Sequence, residues 1–485
     1  MTDKLTTAPA ELLYRIAKLV HADDPNDLNN LLYVNKTFSH IVIPIKYRTL
    51  HFDSYLLLHK AAPMLDSADT DRRDLYKSAP RKVVIGYEGS YVAHGDGWDY
   101  DRTISIISRF TSIETLLLSY LDDFPYYKLT EWLLKMPTLT RLEVMCNPHR
   151  GFLPKYYIPD IPTTFPNLTR LFVSDLEWST MDGFTDQSTS VMAHISSLST
   201  LRSITMDVHS WVCLSKGRWS DTLAVSSMLE EIVIYPGKDI SVAEMRSHQW
   251  VRGLFRALRR CAASLHILRI ELPQKIEGFN CEIVNLPQLS VLVGPEGITD
   301  KLALDGPLTV YWVTSGGKCL EVPRWEQLWP TIGNPDSMRM LRVGVWNTRA
   351  LRLFDVLSCV PQLEELSLCS STALTKQGLL DFGEAFKLCQ CLREVTILVP
   401  PEPSISDDHD IIQIAASWRE MVPNMETICL DTQVTWNYRY DWKGDAYGWK
   451  PRHLPWWPTT HANLPSGLSD LVPPGHDAGP YGNID

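Results

Sequence analysis

The sequence lacks the motifs by which most enzymes hold a nucleotide, a metal or a nucleophile. Its 485 residues contain no Walker loop, no G-x-G-x-x-G, no H-E-x-x-H and no G-x-S-x-G. The densest cluster of acids and histidine, Asp407 to Asp410, lies in a proline-flanked loop, and a solvent-exposed loop is the better interpretation of it. We therefore expect no catalytic residue and no cofactor, and we interpret the chain as a binding protein rather than an enzyme.

Long hydrophobic runs and an excess of positive charge are also missing. No apolar run approaches the roughly 18 residues of a membrane span, and no signal-peptide-like segment opens the chain. The net charge is -11, whereas general binding to nucleic acid or to an anionic membrane needs a basic surface. These features predict a cytoplasmic or nuclear protein with neither nucleic acid nor membrane among its partners.

The ten cysteines show no spacing typical of a zinc site. Cys389 and Cys391 are separated by one residue, with Cys359 and Cys369 not far away in the sequence. Buried free thiols are the better interpretation, in keeping with a reducing compartment. We expect no metal.

What the sequence does contain is a repeated apolar triad with the pattern L-x-x-L-x-L. In Val360–Ser370 it is Leu363, Leu366 and Leu368, and the last two residues point to the same face of an extended strand. The twelve triads are Ile113-Leu116-Leu118, Leu139-Leu142-Val144, Leu168-Leu171-Val173, Leu201-Ile204-Met206, Leu229-Ile232-Ile234, Leu265-Leu268-Ile270, Leu289-Leu292-Gly294, Leu308-Tyr311-Val313, Met338-Leu341-Val343, Leu363-Leu366-Leu368, Leu392-Val395-Ile397 and Met425-Ile428-Leu430.

The first residues of successive triads lie 19 to 36 apart, a period typical of one strand plus one helix or turn. This predicts an α/β leucine-rich-repeat solenoid of about 12 irregular repeats over residues 81–432, with Val83 and Ile85 in an irregular first strand. Residues 433–485 follow as an aromatic, proline-rich tail, which we expect either to cover the end of the repeats or to recruit a partner.

Residues 1–50 do not follow the repeat and predict three short helices instead. The first has apolar residues at helical spacing, the second follows Asn26, and the third is expected to end before Pro44. Three short helices cannot bury all these apolar side chains, so some should face the repeats or a partner. Residues 51–80 are predicted to be a linker with helical content.

The N-terminal segment resembles an F-box. The matching positions are Pro9, Glu11, Leu12, Ile16, Asp27, Leu28, Leu31, Val34, Lys36, Phe38, Pro44 and Tyr47, whereas Ala8 stands where that family usually has leucine. With the repeats, the chain resembles the F-box and leucine-rich-repeat proteins, which implies a substrate receptor of a Skp–cullin–F-box ubiquitin ligase. The resemblance implies a Skp-type adaptor, a cullin bound through it, and a protein substrate as partners. The adaptor-binding residues would be Pro9, Glu11, Leu12, Leu13, Ile16, Leu28, Leu31, Val34 and Phe38. The alternative is a leucine-rich-repeat scaffold whose F-box-like helices only cap the repeats.

The alternation of the strands also predicts where a protein partner would bind. If the triad residues face the core, the residues between and beside them line the other, concave face of the sheet. The candidate partner-binding residues on that face are Arg141, Phe172, Tyr235, Arg269, Trp312, Arg342 and Glu365. Such aromatic and arginine side chains are typical interface anchors. The alternative is that the tail of the chain covers the apolar part of this face.

Overall fold

The computed structural model describes residues 9–23, 28–32, 34, 36–66, 69–86, 99–119, 126–145, 167–174, 195–196, 198–211, 225–235, 248–272, 276, 279–295, 297–314, 334–345, 350–370, 375–398, 408–431, 437–441 and 450–452. The chain divides into two compact units. Unit 1 comprises Met1–Glu271 with Gly278–Val284, and unit 2 comprises Leu272–Glu277 with Asn285–Asp485.

Unit 1 begins with the three predicted helices, α1 (Ala10–Asp23), α2 (Leu28–Leu32) and α3 (Lys36–Lys46). Their shared core consists of the buried residues Leu13, Ala17, Leu28, Phe38 and Val42. The expectation that α3 ends before Pro44 is wrong, because the helix continues to Lys46. Proline costs a helix one backbone hydrogen bond, but here the neighbouring Ile43 is buried and Ile45 packs against the core, which favours the additional turn.

The rest of unit 1 is a parallel sheet in which each strand pairs with the next one along the chain. The strands are β1 (Thr49–Phe52), β2 (Lys82–Gly86), β3 (Thr115–Ser119), β4 (Arg141–Met145), β5 (Arg170–Ser174), β6 (Ser203–Asp207), β7 (Glu231–Tyr235) and β8 (Ile267–Ile270). The helices between them are α4 (Tyr55–Ala61), a 3-10 helix (Ala62–Asp66), α5 (Thr70–Ser78), α6 (Tyr100–Ile107), α7 (Tyr126–Leu134) and α8 (His248–Cys261). Residues 51–80, predicted as a linker, thus hold part of β1 and three helical segments.

Unit 2 repeats the same design. Its strands are β10 (Val291–Pro295), β12 (Val310–Thr314), β13 (Met340–Val345), β14 (Glu365–Ser370), β15 (Glu394–Leu398) and β16 (Thr427–Asp431), which pair in parallel in that order. The short strands β9 (Val284–Asn285) and β11 (Leu302–Ala303) form a separate two-stranded sheet. The helices are 3-10 segments at Thr299–Lys301 and Pro335–Ser337, and α9 (Ala350–Ser358), α10 (Lys376–Phe386) and α11 (Asp408–Met421).

The backbone of the tail adds two antiparallel strands to the edge of this sheet. Strand β17 (Asn437–Asp441) pairs with β16, and β18 (Lys450–Arg452) pairs with β17. An added strand satisfies the backbone groups that a sheet edge leaves unpaired. The predicted contribution of the tail tryptophans, at positions 436, 442, 449, 456 and 457, falls outside the described residues.

The triad prediction is confirmed as a prediction of strands and of their buried face. The second residues of the triads are register partners, for example Leu116 with Leu142 and Leu366 with Val395. All twelve of these second residues are buried, as are all twelve first residues. The chain is therefore a mixed α/β protein with long parallel sheets, in which each triad contributes its first two residues to the core.

The contact between α10 and α11 depends on the absence of a side chain at Gly383. A Cβ atom there would lie 2.6 Å from Cδ1 of Trp418 and 2.9 Å from Sδ of Met421. The Trp418 ring cannot retreat freely, because it is buried and its Nε1 donates to the Leu379 carbonyl at 2.8 Å.

We expect Gly383→Ala to destabilise the protein by about 1–3 kcal/mol, in spite of the better helix propensity of alanine. Gly378→Ala in the same helix is the matched control, since its Cβ would meet only Thr375 Oγ1, at 3.3 Å. That control should cost nothing or gain up to about 1 kcal/mol. Urea denaturation of both variants checks this, and equal midpoints for the two would contradict it.

Candidate functional site

Helix α1 has apolar side chains on two of its faces. Leu13 and Ala17 are fully buried in the core of the helical module. A second set at positions i, i+4 and i+7, called the outer stripe here, consists of Leu12, Ile16 and Leu19. Leu12 is 50 % exposed and Leu19 71 % exposed, while Ile16 is half-buried. The core of the module therefore does not use the outer stripe.

The predicted adaptor-binding residues are divided between these two environments. Four are exposed, namely Pro9, Glu11, Leu12 and Val34, and two are half-buried, Ile16 and Leu31. Leu13, Leu28 and Phe38 are at most 2 % exposed, contrary to the exposed position that a contact residue needs. These three build the core, because the helix spacing carries them to the inner side.

Helix α3 attaches the helical module to the first helices of the sheet. Lys36 Nζ lies 2.7 Å from Asp71 Oδ2 on α5, and this hydrogen bond lowers the pKa of the Asp71 carboxyl. The Tyr47 ring, just after α3, meets the Tyr76 ring edge-on with centroids 5.3 Å apart. The attachment uses the C-terminal side of the module and leaves the outer stripe of α1 exposed.

The candidate residues in unit 1 lie on the non-triad face of the sheet, formed by positions 1, 3 and 5 of each strand. The structure brings Phe172 and Tyr235 together as stacked rings, with centroids 5.8 Å apart and planes at 11°. Phe172 and Arg269 are each only 3 % exposed, so the expectation that they face solvent is wrong. Adjacent strands are only about 4.8 Å apart, and large side chains on neighbouring strands therefore cover each other.

The non-triad face also contains buried acids, whose burial the strand pattern did not predict. Glu143 is 1 % exposed, and its Oε1 lies 2.5 Å from Nε of Arg141 on the same strand. Glu231 accepts a hydrogen bond from Ser203 Oγ at 2.6 Å, and Arg269 is paired with Glu271. Arg141 and Arg269 are thus each paired with a glutamate two residues further along the chain. This spacing of arginine and glutamate was the sequence signal that could have predicted the pairing.

In unit 2 the structure brings Trp312 and Arg342 together. Their positions are register partners on β12 and β13, and the guanidinium carbon of Arg342 lies 4.3 Å from the centre of the Trp312 ring. Both residues are half-buried. A guanidinium over an indole face is a favourable cation–π contact, which holds both side chains in place.

Glu365, the remaining candidate residue, lies beside Glu394 of the next strand in register. Burial, together with the nearby charges of Glu394 and Glu364, raises the pKa of Glu365 to about 7. This carboxyl therefore changes its protonation near neutral pH.

Among the described residues, no group of three or more His, Cys, Asp or Glu is arranged to hold a metal ion. Cys261 and Cys389 are free and buried, and burial raises the pKa of each thiol to about 12. Such thiols are poor nucleophiles and poor metal ligands at neutral pH. In the part of the chain that the structure describes, no helix is long and apolar enough to cross a membrane.

Comparison with known proteins gives distant structural similarities. No family model and no curated protein matches the sequence. Among solved structures, a chain of the complex of Rad7 and Elc1 in yeast is 14% identical, with coverage of 85% of this chain and 90% of that chain and a TM-score of 0.35. The leucine-rich repeat-containing protein LegL7 from Legionella pneumophila is 12% identical, with coverage of 68% and 96% and a TM-score of 0.28.

We predict that Glu365 makes the stability of unit 2 depend on pH. Because burial disfavours its carboxylate, the folded state binds this proton more tightly than the unfolded chain does. The free energy of unfolding should therefore fall as the pH rises from about 4.5 to about 7. Glu365→Gln removes this dependence, and its melting temperature should exceed that of the wild type at pH 8 but not at pH 5.

Thermal melts between pH 5 and pH 8 check this expectation. Glu426→Gln is the matched control, because Glu426 is an exposed glutamate just before β16 and should keep the pH profile of the wild type. Parallel profiles for Glu365→Gln and the wild type would show that this carboxyl does not control the dependence.

Proposed function

We propose that this chain is the substrate-recognition subunit of a Skp–cullin–F-box ubiquitin ligase. In this proposal the helices α1 to α3 are an F-box-like module, and the repeated strands are a leucine-rich-repeat solenoid that holds a protein substrate. The observation that carries the proposal is the outer stripe of α1, which exposes Leu12 and Leu19 beside the face of the same helix that is buried in the core of the module.

The outer stripe has the form of a helix that docks into a groove of another protein. Its leucines and isoleucine recur at i, i+4 and i+7, which is the spacing of anchors in this mode of binding. Exposed charged residues, Glu11, Arg15 and Lys18, lie on the same helix and would form a polar rim. Pro9 is exposed at the start of the helix, where its carbonyl accepts hydrogen bonds from the amides of Leu12 and Leu13.

A scaffold with a helical cap is the second candidate. The contact of Lys36 with Asp71 and that of Tyr47 with Tyr76 favour it, because they join the module to the first helices of the sheet as a cap requires. A cap does not account for the exposure of Leu12 and Leu19, however. The ligase proposal accounts for both the attachment contacts and the exposed leucines, whereas the cap accounts for the attachment contacts alone.

We predict that Leu12→Ala combined with Leu19→Ala weakens binding of a purified Skp-type adaptor by about 10- to 1000-fold, since each anchor contributes about 1–2 kcal/mol. Both side chains are at least half exposed, so the melting temperature should stay close to that of the wild type. Calorimetric titration with the adaptor measures the change. Leu56→Ala, at a residue of α4 that is 58 % exposed, is the control and should bind normally. A wild-type protein that does not bind the adaptor at micromolar concentrations would leave the scaffold as the better function.

The substrate site is proposed on the non-triad face, with Trp312 and Arg342 as its anchors in unit 2. We predict that Arg342→Ala loses a set of co-purified proteins while it retains the adaptor, because the two sites lie on different elements. Arg339→Ala is the matched control, since Arg339 is half-buried and paired with Glu364 just before the same strand. Affinity purification with mass spectrometry measures both. Identical partner lists for the two variants would remove Arg342 from the proposed site.

A further inference from the structure

Unit 1 contains an apolar cavity of about 250 Å³ beside its first strand, called the β1 cavity here. Leu50 and Phe52 of β1 form one side, and Leu57, Met64 and Tyr76 from the following helices form the other. Leu57 is 42 % exposed, so the cavity reaches the surface beside α4. Voids larger than a water molecule are few in a protein domain, and one of this size can hold a ligand.

The size of the β1 cavity sets the size of its occupant. A cavity of about 150 Å³ with a similar apolar lining binds benzene, which has six carbon atoms. In proportion, the β1 cavity holds about ten non-hydrogen atoms. Apolar side chains dominate its lining, so the part of the ligand inside should be hydrocarbon.

The charge of the lining sets the polarity of the other end of the ligand. Among the described residues that line the β1 cavity, Lys60 alone carries a charge, and no carboxylate opposes it. Lys60 is exposed, and a lysine can extend its ammonium along an apolar wall to the solvent boundary. An anionic group at the opening would be attracted to this ammonium.

We propose that the β1 cavity is a binding site for a medium-chain carboxylate, with the alkyl chain in the cavity and the carboxylate at Lys60. Tyr47 and Tyr76 also line the cavity, and they belong to the contact by which the helical module attaches to α5. A bound ligand therefore stabilises the junction between that module and the first strand. This site is independent of the outer stripe and does not depend on the ligase function.

Decanoate is the probe, with decanol and decylamine as analogues that change only the head group. The full chain should bind one decanoate in calorimetric titration, and its melting temperature should rise by about 5 °C at a hundredfold excess over Kd. Lys60→Met should weaken decanoate binding about tenfold and leave decanol binding unchanged. Decylamine should bind more weakly than decanol to the wild type.

A variant that blocks the opening of the β1 cavity distinguishes binding in the cavity from non-specific binding elsewhere on the protein. Leu57→Trp should abolish binding of decanoate and decanol, whereas Leu56→Trp, at an exposed neighbour that does not line the cavity, should retain both. Absence of decanoate binding at millimolar concentration would overturn the proposal. Equal binding of the three probes to the wild type and Lys60→Met, or normal binding to Leu57→Trp, would overturn it as well.

Discussion

The whole architecture depends on one backbone arrangement at the start of the strands. Two consecutive amides donate to a single carbonyl at the start of the preceding strand, as Thr140 and Arg141 donate to Glu114. The next pair, Thr169 and Arg170, donates in turn to Thr140, and unit 2 has the same pattern, as when Glu364 and Glu365 donate to Arg339. This arrangement fixes the register of each strand on the one before it. Since a shift by one residue would turn every triad residue away from the core, the burial of the triads follows from these bonds.

The fixed register also decides the chemistry of the non-triad face. It places Arg141 next to Arg170 and Glu365 next to Glu394, where like charges repel. The repulsion within these two pairs is reduced in different ways. Arg141 lies against a buried carboxyl group, that of Glu143, on its own strand. The described register partners of Glu365 are Met340 and Glu394, neither of which is a cation, and burial beside other carboxylates instead favours its protonated form. The charge of this face in unit 2 therefore changes with pH near neutrality.

The sequence predicts the strands well because one signal decides them. The triad places two buried residues two positions apart, and this spacing survives even where Gly294 replaces the third residue. It does not predict burial on the other face, because that burial depends on side chains of other strands, as when Phe172 of β5 stacks on Tyr235 of β7. In α1 the apolar residues Leu12, Leu13, Ile16, Leu19 and Val20 share one helical spacing, so the pattern predicts a single apolar face and does not separate the two stripes. Only the positions of α2 and α3 show that Leu13 is inside and Leu12 outside. The β1 cavity arises from the fit between β1 and the helices that follow it, and no sequence pattern predicts it.

Because the core of the helical module is small, substitutions in that core and substitutions in the outer stripe of α1 should have different effects on stability. Five buried residues form that core, and none of them belongs to the outer stripe. Loss of a buried side chain such as Leu13 costs about 2–5 kcal/mol, a large part of the stability of so small a core, whereas truncation of Leu12 or Leu19, which are 50 % and 71 % exposed, should cost far less. The attachment of α3 to α5 uses Lys36 and Asp71, neither of which belongs to the outer stripe. A substitution in the outer stripe therefore leaves both the core and the first strand intact. Any loss of binding in such a variant can then be attributed to the stripe.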